Sequence, residues 1–359
     1  MRGTTAIRRR GGSALVGVVL AAMLATACGS SSSSSSSSGS AAGSSTTAAK
    51  SGKTVNVAVF LASAANTYWE AELLGAKDAA ASIPNVNVKF TVFDGNFTTN
   101  TQVNQLRDAL VSHKYQAWFV GPNDGGPLTP TIRQAVSQGV KVGCALVPCG
   151  PDIRDVHVQI PGQVIFAGLG FYPNGQLLGK LVAQGCAGSS NCKVLWLPGL
   201  PTLPLEVARR DGMYSVINKY PSIHVVATAA GGYLASPAFT ATQNVLRAHP
   251  DLNVVVSSGD QMIAGAARAA RLAGSGGKIK MYGNGCTFEA KQLILQGVQT
   301  GCSVYLPRTE GRIVVTALIE SVLGQTKRTG IYINPLQFSP IGNLGTKANI
   351  AKFPPEFHS

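Results

Sequence analysis

Seven cysteines are the most reactive side chains of this 359-residue sequence, and their spacing limits the chemistry they can do. Six of them form three pairs that are close along the chain: Cys144 and Cys149, Cys186 and Cys192, and Cys286 and Cys302. An even number of cysteines predicts disulfides if the chain is exported, and sequence proximity favours these pairs among the fifteen formally possible pairings. Zinc is not expected, because the histidines lie far from the cysteines and no Cys-x-x-Cys spacing occurs.

Common catalytic motifs are missing from the sequence. It contains no Gly-x-Ser-x-Gly, no His-Glu-x-x-His and no phosphate-binding Gly-x-x-x-x-Gly-Lys. The stretch that begins at Gly283 fails the dinucleotide-binding pattern, because Phe288 stands where the last glycine is required. We therefore predict a protein that is not an enzyme and that needs neither a cofactor nor a metal.

Residues 1–27 are typical of a bacterial signal peptide. A basic stretch (2–10) precedes an apolar stretch (14–24), small residues and Cys28. The apolar stretch rises only about 16 Å as a helix, roughly half of a bilayer core, so no permanent transmembrane helix is expected. The segment before Cys28 resembles the bacterial lipobox, with Ala25 where leucine is usual, and predicts acylation of Cys28 and anchoring to the outer face of the cytoplasmic membrane. Simple cleavage and secretion is the alternative, and the arginines at 8–10 leave the export route open.

Residues 28–53 are almost entirely Ser, Gly, Ala and Thr, with an unbroken serine run at 30–38. Such a segment cannot bury enough apolar surface to fold. It predicts a flexible tether that holds the folded body on the order of 25 to 30 Å from the membrane.

Overall composition indicates a folded body and argues against nucleic-acid binding. Hydrophobic residues make up 45% of the chain and charged residues 13%, which excludes a largely disordered protein. The formal charge is +14, but four of the positive charges lie in the predicted signal peptide. The remaining basic residues are scattered singly without interleaved aromatic residues, so no nucleic-acid partner is expected.

The chain after residue 53 alternates short β-branched runs with helical patterns, which predicts parallel βαβ units in an α/β fold. One hydrophobic core rarely grows beyond roughly 250 to 300 residues, so the length favours two lobes. Thr67 with Glu70 predicts a capping box, and Ser236 followed by Pro237 predicts a second helix start. The predicted strands are 55–60, 86–93, 117–120, 140–145, 193–197, 224–228, 254–257, 279–282 and 303–306.

A series of short motifs falls at the ends of these predicted elements. They are Asn66-Thr-Tyr-Trp-Glu, Asp94-Gly-Asn-Phe, Phe119-Val-Gly-Pro-Asn-Asp, Arg209-Arg-Asp-Gly-Met, Ala248-His-Pro-Asp-Leu, Ser258-Gly-Asp-Gln-Met-Ile-Ala-Gly-Ala and Tyr282-Gly-Asn-Gly. In order and spacing, the stretch from 55 to about 340 resembles the ribose-binding group of type I periplasmic solute-binding proteins. The resemblance implies two doubly wound parallel-sheet lobes joined by a three-crossover hinge. It assigns 54–168 plus 307–333 to an N-terminal lobe and 169–306 plus 334–359 to a C-terminal lobe.

The same resemblance implies which residues contact a ligand. It places a polar residue and two aromatic residues at the start of the first helix, here Asn66, Tyr68 and Trp69. Flat rings suit the apolar face of a sugar or an aromatic ring. The remaining implied contacts are Arg209, Asn284 and Tyr305. The alternatives are that Trp69 is ordinary core packing and that Arg209 is a surface arginine.

Several positions depart from the sugar-binding pattern. Leu146 and Val147 stand where an Asp-Arg pair is usual, and Gly121 and Gly259 replace asparagines. These changes remove charged and polar groups, so a fully hydroxylated pentose would leave polar groups unpaired at about 1 to 3 kcal/mol each. We therefore expect either a ligand that is less polar than ribose or a different binding pose. Tyr68, Trp69 and Tyr305 around Arg209 would suit an aromatic or semi-apolar compound, including one with an acidic group.

Taken together, these features predict a receptor that captures a sugar-like or semi-apolar small molecule between two lobes by hinge closure and delivers it to an ABC permease in the cytoplasmic membrane. We expect the receptor to be a monomer. Two alternatives stay open: a ligand-sensing receptor for a membrane kinase, and binding of an aromatic or acidic compound that is not a sugar. Regulators of the lactose-repressor family share this body, but here an export signal and tether replace their DNA-reading helix-turn-helix.

Overall fold

The structure, a computed structural model, describes residues 52–359. The predicted signal peptide, Cys28 and the predicted tether up to residue 51 lie outside the described residues. Strand β1 begins at Lys53, so the tether prediction extends one residue too far into the body. Within residues 52–359, no helix combines the length and the apolar character that crossing a bilayer requires.

Two six-stranded sheets form the framework of the body. The first has the order β11-β5-β4-β3-β1-β2 and the second the order β12-β10-β9-β8-β6-β7. All neighbouring strands run parallel except β12, which is antiparallel to β10. The strands are β1 Lys53–Leu61, β2 Val86–Asp94, β3 Ala117–Val120, β4 Lys141–Ala145, β5 Ile165–Ala167, β6 Cys192–Leu197, β7 Ile223–Thr228, β8 Val254–Ser257, β9 Lys280–Gly285, β10 Gly301–Val304, β11 Ile331–Ile333 and β12 Leu344–Thr346.

Helices pack on both faces of each sheet, and we call a sheet with its helices a lobe. The α/β prediction of two doubly wound lobes is confirmed, with the chain passing between sheets after β5, β10 and β11. The first lobe contains α1 Thr67–Ser82, α2 Thr99–Ser112, α3 Gly125–Ser137 and α9 Pro307–Val322. The second contains α4 Phe171–Gly185, α5 Pro204–Ile217, α6 Ala235–Ala248, α7 Asp260–Leu272 and α8 Phe288–Leu295.

The core lies between these layers. Strands β3 and β8 are buried at every residue, as expected for parallel strands covered on both faces. Trp118 and Trp196 are the largest fully buried side chains, one in each lobe. Loops leave the carboxyl ends of these buried strands. The loops form the site described below.

Three short strands were not predicted: β5, β11 and β12. Each has only three residues. A run of this length carries too few residues for hydrophobic periodicity to separate it from a loop. Sheet pairing, a tertiary property, defines them.

Two predicted helix starts are wrong. Asn66 and not Thr67 caps α1, because the Asn66 Oδ1 accepts a hydrogen bond of 3.0 Å from the backbone N–H of Tyr68. Thr67 is the first helical residue, so no Thr67–Glu70 capping box forms. At α6 the helix begins at Ala235, and Pro237 is its third residue, where a missing N–H is tolerated because the first-turn N–H groups have no helical partner.

Glycines bring α1 and α9 unusually close. A Cβ atom on Gly75 would lie 1.8 Å from the carbonyl oxygen of Arg308, and one on Gly311 would lie 1.9 Å from that of Glu72. No larger residue fits at either position without separating the helices. The close crossing places Glu72 of α1 beside Glu310 of α9.

Each lobe is crosslinked by disulfides between cysteines that are close in sequence. Cys144 is bonded to Cys149, Cys186 to Cys192, and Cys286 to Cys302. The Cα atoms of the last pair, which has the longest sequence separation, are 5.4 Å apart, well within the roughly 7 Å that a disulfide can span. These are the pairs that sequence proximity favours.

Candidate ligand-binding cleft

A cavity of about 80 Å³ lies between the lobes, at the carboxyl ends of the strands. This is where open parallel sheets place their ligands, since the loops that follow the strands converge there. Its lining includes all six residues that the resemblance implied: Asn66, Tyr68, Trp69, Arg209, Asn284 and Tyr305. The structure thus brings together side chains from both lobes and from the crossing after β10.

Seven aromatic residues contribute to the cavity wall. Tyr68 makes edge contacts with Trp69, Tyr305 and Phe357, with ring centroids 5.4 to 5.7 Å apart. At another part of the wall, Phe97 of the first lobe stacks on Tyr233 of the second, with centroids 6.4 Å apart. Sequence reasoning did not select Phe97, Tyr233 or Phe357, because only the approach of the lobes shows that they face one space.

Trp69 is both a core residue and part of the cavity wall. Its side chain is buried in the core cluster of the first lobe, and its ring also lines the cavity. A Cβ atom on Gly121 would lie 2.2 Å from the Trp69 ring. A side chain at position 121 would therefore collide with the indole in its present position.

Arg209 is not a surface residue, so that alternative is wrong. The residue is 3% exposed, and its guanidinium pairs with the carboxylate of Glu206 at 2.9 Å. Its Nε also donates to Asn174 Oδ1 at 2.8 Å, and the guanidinium lies 5.2 Å from the centre of the Phe171 ring. Burial lowers the pKa of Arg209, but Glu206, Tyr305 and Tyr233 together outweigh this effect and hold the pKa well above its ordinary value.

Glu206 changes the electrostatics that the sequence suggested. Both members of the pair are nearly fully buried, at 4% and 1% exposure of their side chains. The hydroxyl of Tyr233 also donates to Glu206. The arginine charge is thus balanced within the protein, and the expected pairing of Arg209 with a ligand carboxylate has no geometric support. The Glu206–Arg209 spacing of three residues on one helix was the available signal.

Asn284 and its neighbours form a closed hydrogen-bonded network. Asn174 Nδ2 donates to Asn284 Oδ1 at 2.9 Å and to Ser303 Oγ at 3.0 Å. Asn284 Nδ2 donates to the carbonyl of Ser258 at 3.2 Å. Much of the polar lining is therefore already paired inside the protein.

A buried carboxyl pair lies next to the Tyr68 hydroxyl. The Tyr68 hydroxyl donates to Glu310 Oε2 at 2.8 Å, and Glu310 lies against Glu72. Neither oxygen of Glu72 has a nitrogen or hydroxyl donor, so the contact between the two carboxyls requires a proton. Burial raises the pKa of Glu310 to about 8 and that of Glu72 well above its ordinary value.

Backbone strain concentrates at the cavity. Phe97, Leu146 and Tyr233 all adopt left-handed conformations, with φ between 53° and 58°. This region is unfavourable for residues other than glycine, and such strain clusters at ligand sites. Leu146 lines the cavity as its apolar type suggested, whereas Val147 is fully buried against Phe171 and takes no part in the lining.

Two lobes that enclose a cavity at the carboxyl ends of their sheets define a two-lobed solute-binding architecture. Residues 57–326 match the family described as periplasmic binding protein domain. This match covers most of the chain, so the protein belongs to that family.

Relatives and solved structures agree with this assignment. The D-allose-binding periplasmic protein of Escherichia coli (strain K12) is 22% identical over 272 residues, 74% of this chain and 83% of the relative. The D-ribose/D-allose-binding protein of Pseudomonas aeruginosa is 20% identical over 243 residues, 67% of this chain and 74% of the relative.

Two solved structures share the fold. An ABC transporter periplasmic solute binding protein from Actinobacillus succinogenes 130z with bound D-allose has a TM-score of 0.69 at 21% identity, over 83% of this chain and 100% of that chain. The Caulobacter myo-inositol binding protein bound to myo-inositol has a TM-score of 0.70 at 19% identity, over 83% and 95% of the two chains.

Proposed function

We propose that this protein is the extracytoplasmic substrate-binding component of an ABC importer, which captures a small neutral molecule between its lobes by hinge closure. The observation that carries the proposal is the cavity between the lobes, walled by aromatic rings and containing an arginine that the protein itself neutralises. Closure around a ligand is the usual conformational change of two-lobed receptors. The D-allose and myo-inositol complexes of the structural neighbours support a ligand of monosaccharide size.

Within this proposal the protein is a binding protein and not an enzyme. Among the described residues, no cluster of histidine, cysteine, aspartate and glutamate is arranged to hold a metal. The proposed hinge separates 54–168 plus 307–333 from 169–306 plus 334–359. The strands of the two sheets lie within these ranges apart from Lys53, which supports the division.

A thermal-shift screen tests the proposed function on the full-length protein. Sugars, polyols, aromatic acids and nucleobases would be compared, since a ligand that binds only the folded state raises its stability by about 2.7 kcal/mol at one hundred times Kd. We expect neutral compounds to stabilise the protein and benzoate not to do so. Small-angle scattering should show a smaller radius of gyration with the best compound. No stabilisation by any compound, or no compaction, would contradict the proposal.

The predicted signal peptide and the lipobox-like segment before Cys28 support membrane anchoring through an acylated Cys28. In cells given a fatty-acid analogue, the wild-type protein should be labelled and should sediment with membranes. Cys28→Ser should abolish the label, because serine offers no thiol for acylation. Equal labelling of the two proteins would overturn the anchoring proposal and leave secretion as the alternative.

A further inference from the structure

Asn123 is the most unusual polar group of the cavity. It is 2% exposed and lines the cavity, yet neither its side-chain oxygen nor its side-chain nitrogen has a hydrogen-bond partner in the protein. Among the described residues, no other side-chain amide is buried with both atoms unpaired. Such a group destabilises a protein by about 1 to 3 kcal/mol unless something pairs with it.

The protein holds this amide firmly in place. Gln102, fully buried, accepts a hydrogen bond of 2.8 Å from the backbone N–H of Asn123 through its Oε1. The Nε2 of the same glutamine donates to the carbonyl of Gly121 at 2.9 Å. The turn that carries Asn123 is therefore clamped on both sides, while the side chain itself stays unpaired.

We propose that Asn123 is the residue that selects the ligand, and that the ligand is a small neutral ring with a lactam edge. A carboxamide offers one acceptor and two donors in a plane, and a cyclic amide presents the matching N–H and C=O side by side. The two then form a pair of parallel hydrogen bonds, as an asparagine does with a nucleobase edge. This inference rests on the proposed function and names its ligand class.

The rest of the cavity favours a lactam over a polyol. A planar ring can lie against aromatic side chains such as Trp69 and Tyr68. A sugar could also pair with Asn123 through two hydroxyls, but its other hydroxyls would face those rings. The groups that could receive them, Arg209 and Asn284 among them, are already paired within the protein.

We expect the ligand to be neutral because Arg209 and Glu206 compensate each other's charge. A carboxylate ligand near Arg209 would also lie near Glu206, so the positive charge is already compensated. Besides Asn123, two further uncharged amides, Asn66 and Gln261, line the cavity.

Calorimetry on the full-length protein with a matched pair of probes tests this proposal. We expect 2-pyridone and uracil to bind. N-methyl-2-pyridone keeps the ring and the carbonyl but lacks the N–H donor, so it should bind at least about 10-fold more weakly. D-Allose and myo-inositol serve as the polyol probes.

Asn123→Leu supplies the matched variant. It should weaken 2-pyridone and uracil at least about 10-fold and leave the melting temperature of the ligand-free protein unchanged or higher, because a buried unpaired amide is removed. A merely structural asparagine would instead lower that temperature. Asn191→Leu, at an exposed asparagine before β6 and so at the opposite end of the strands, is the control and should change neither quantity.

The possible outcomes separate this inference from the proposed function. Binding of D-allose or myo-inositol without any lactam binding, or lactam binding that Asn123→Leu or N-methylation leaves unchanged, would overturn the inference and leave the receptor role supported. If no lactam, sugar or polyol binds, both the inference and the proposed function fail.

Discussion

At the scale of single residues, the cavity combines groups of opposite energetic character. The charges of the buried Arg209–Glu206 pair compensate each other, whereas both side-chain polar atoms of Asn123 lack a hydrogen-bond partner. A buried ion pair contributes little net stability, but removal of one partner leaves an uncompensated charge. The cavity is therefore suited to uncharged ligands as long as both members of the pair are present.

Glu206→Gln should lower the free energy of unfolding by about 3 to 5 kcal/mol, because it leaves the Arg209 charge buried without its partner. The same variant should gain affinity for benzoate, whose carboxylate would replace the lost charge. Urea unfolding and calorimetry measure the two effects. The double variant Glu206→Leu/Arg209→Met removes both charges and should recover most of the stability; equal losses in the single and double variants would contradict this account.

Trp69→Ala should weaken the true ligand by about 1 to 3 kcal/mol, because a ligand in the cavity would bury apolar area against the indole. Free ribose should bind weakly or not at all to the wild type, since few polar lining groups are unpaired. Calorimetry with both proteins decides the matter. The exposed Val111→Ala serves as control for a change of apolar surface outside the cavity. Submicromolar ribose binding that survives Trp69→Ala would show that the ligand lies elsewhere.

At the scale of secondary-structure elements, the α1–α9 crossing joins the framework to the cavity. Gly75 and Gly311 allow the helices to approach, and Glu310 accepts a hydrogen bond from the Tyr68 hydroxyl. Tyr68 lowers the pKa of Glu310 through its hydrogen bond, Glu356 raises it, and Glu310 in turn raises the pKa of the neighbouring Tyr305 and Tyr332. The crossing thus links the proton held by Glu72 and Glu310 to the position of the Tyr68 ring.

This coupling makes stability depend on pH. The pKa of Glu310 is about 8 in the folded protein and close to its ordinary value when unfolded, so the folded state holds a proton that the unfolded state has lost. The free energy of unfolding should therefore fall as pH rises from about 5 to 8, by up to about 1.4 kcal/mol per pH unit for one proton. Urea titrations across this range measure the slope.

Glu310→Gln is the variant for this prediction. It removes one titrating carboxyl and should reduce the slope between pH 5 and 8, whereas the raised pKa values of Glu72 and Asp260 leave a residual slope. Glu70→Gln, at an exposed carboxyl of the same helix pair, is the control and should leave the slope as it is. An unchanged slope in Glu310→Gln would show that Glu310 does not hold the proton.

At the scale of the whole molecule, contacts between the lobes surround the cavity. Phe97 stacks on Tyr233, and Arg154 of the first lobe pairs with Asp211 of the second at 2.6 Å. The Arg154 side chain is 53% exposed, so the ion pair is weak and screened by salt. This ion pair therefore contributes little to holding the two lobes together.

Arg154→Ala should weaken ligand binding by at most about 5-fold, because exposed ion pairs contribute about 0.2 to 1 kcal/mol. The loss should appear in the dissociation rate and should vanish at high salt. Surface plasmon resonance at low and high ionic strength measures it. Arg210→Ala is a matched control, since Arg210 pairs with the same aspartate from within one lobe. A larger effect in Arg210→Ala than in Arg154→Ala would contradict the role of the contact between lobes.

The sequence predicted those parts of the site that depend on local order along the chain. Asn66, Tyr68 and Trp69 follow β1, and Asn284 and Tyr305 end or follow β9 and β10, so parallel-sheet geometry and the family resemblance suffice to bring them to one edge. Glu206 and Glu310 were missed, because their roles depend on which helix faces them and not on their own motifs. The short strands β5, β11 and β12 were missed for the same reason, since only pairing distinguishes them from loops.

What the sequence by itself determined is the alternation of strands and helices, the two lobes, the disulfide pairs and the ring-rich composition of the cleft. These follow from hydrophobic periodicity, short cysteine spacing and residue type, which act over a few residues. Only the tertiary structure decided that Glu206 balances Arg209, that Glu72 and Glu310 share a site, and that Asn123 is clamped but unpaired. Electrostatic balance and hydrogen-bond satisfaction are properties of groups that meet in space, and the helix crossings and loop positions that bring them together are not encoded in any single segment.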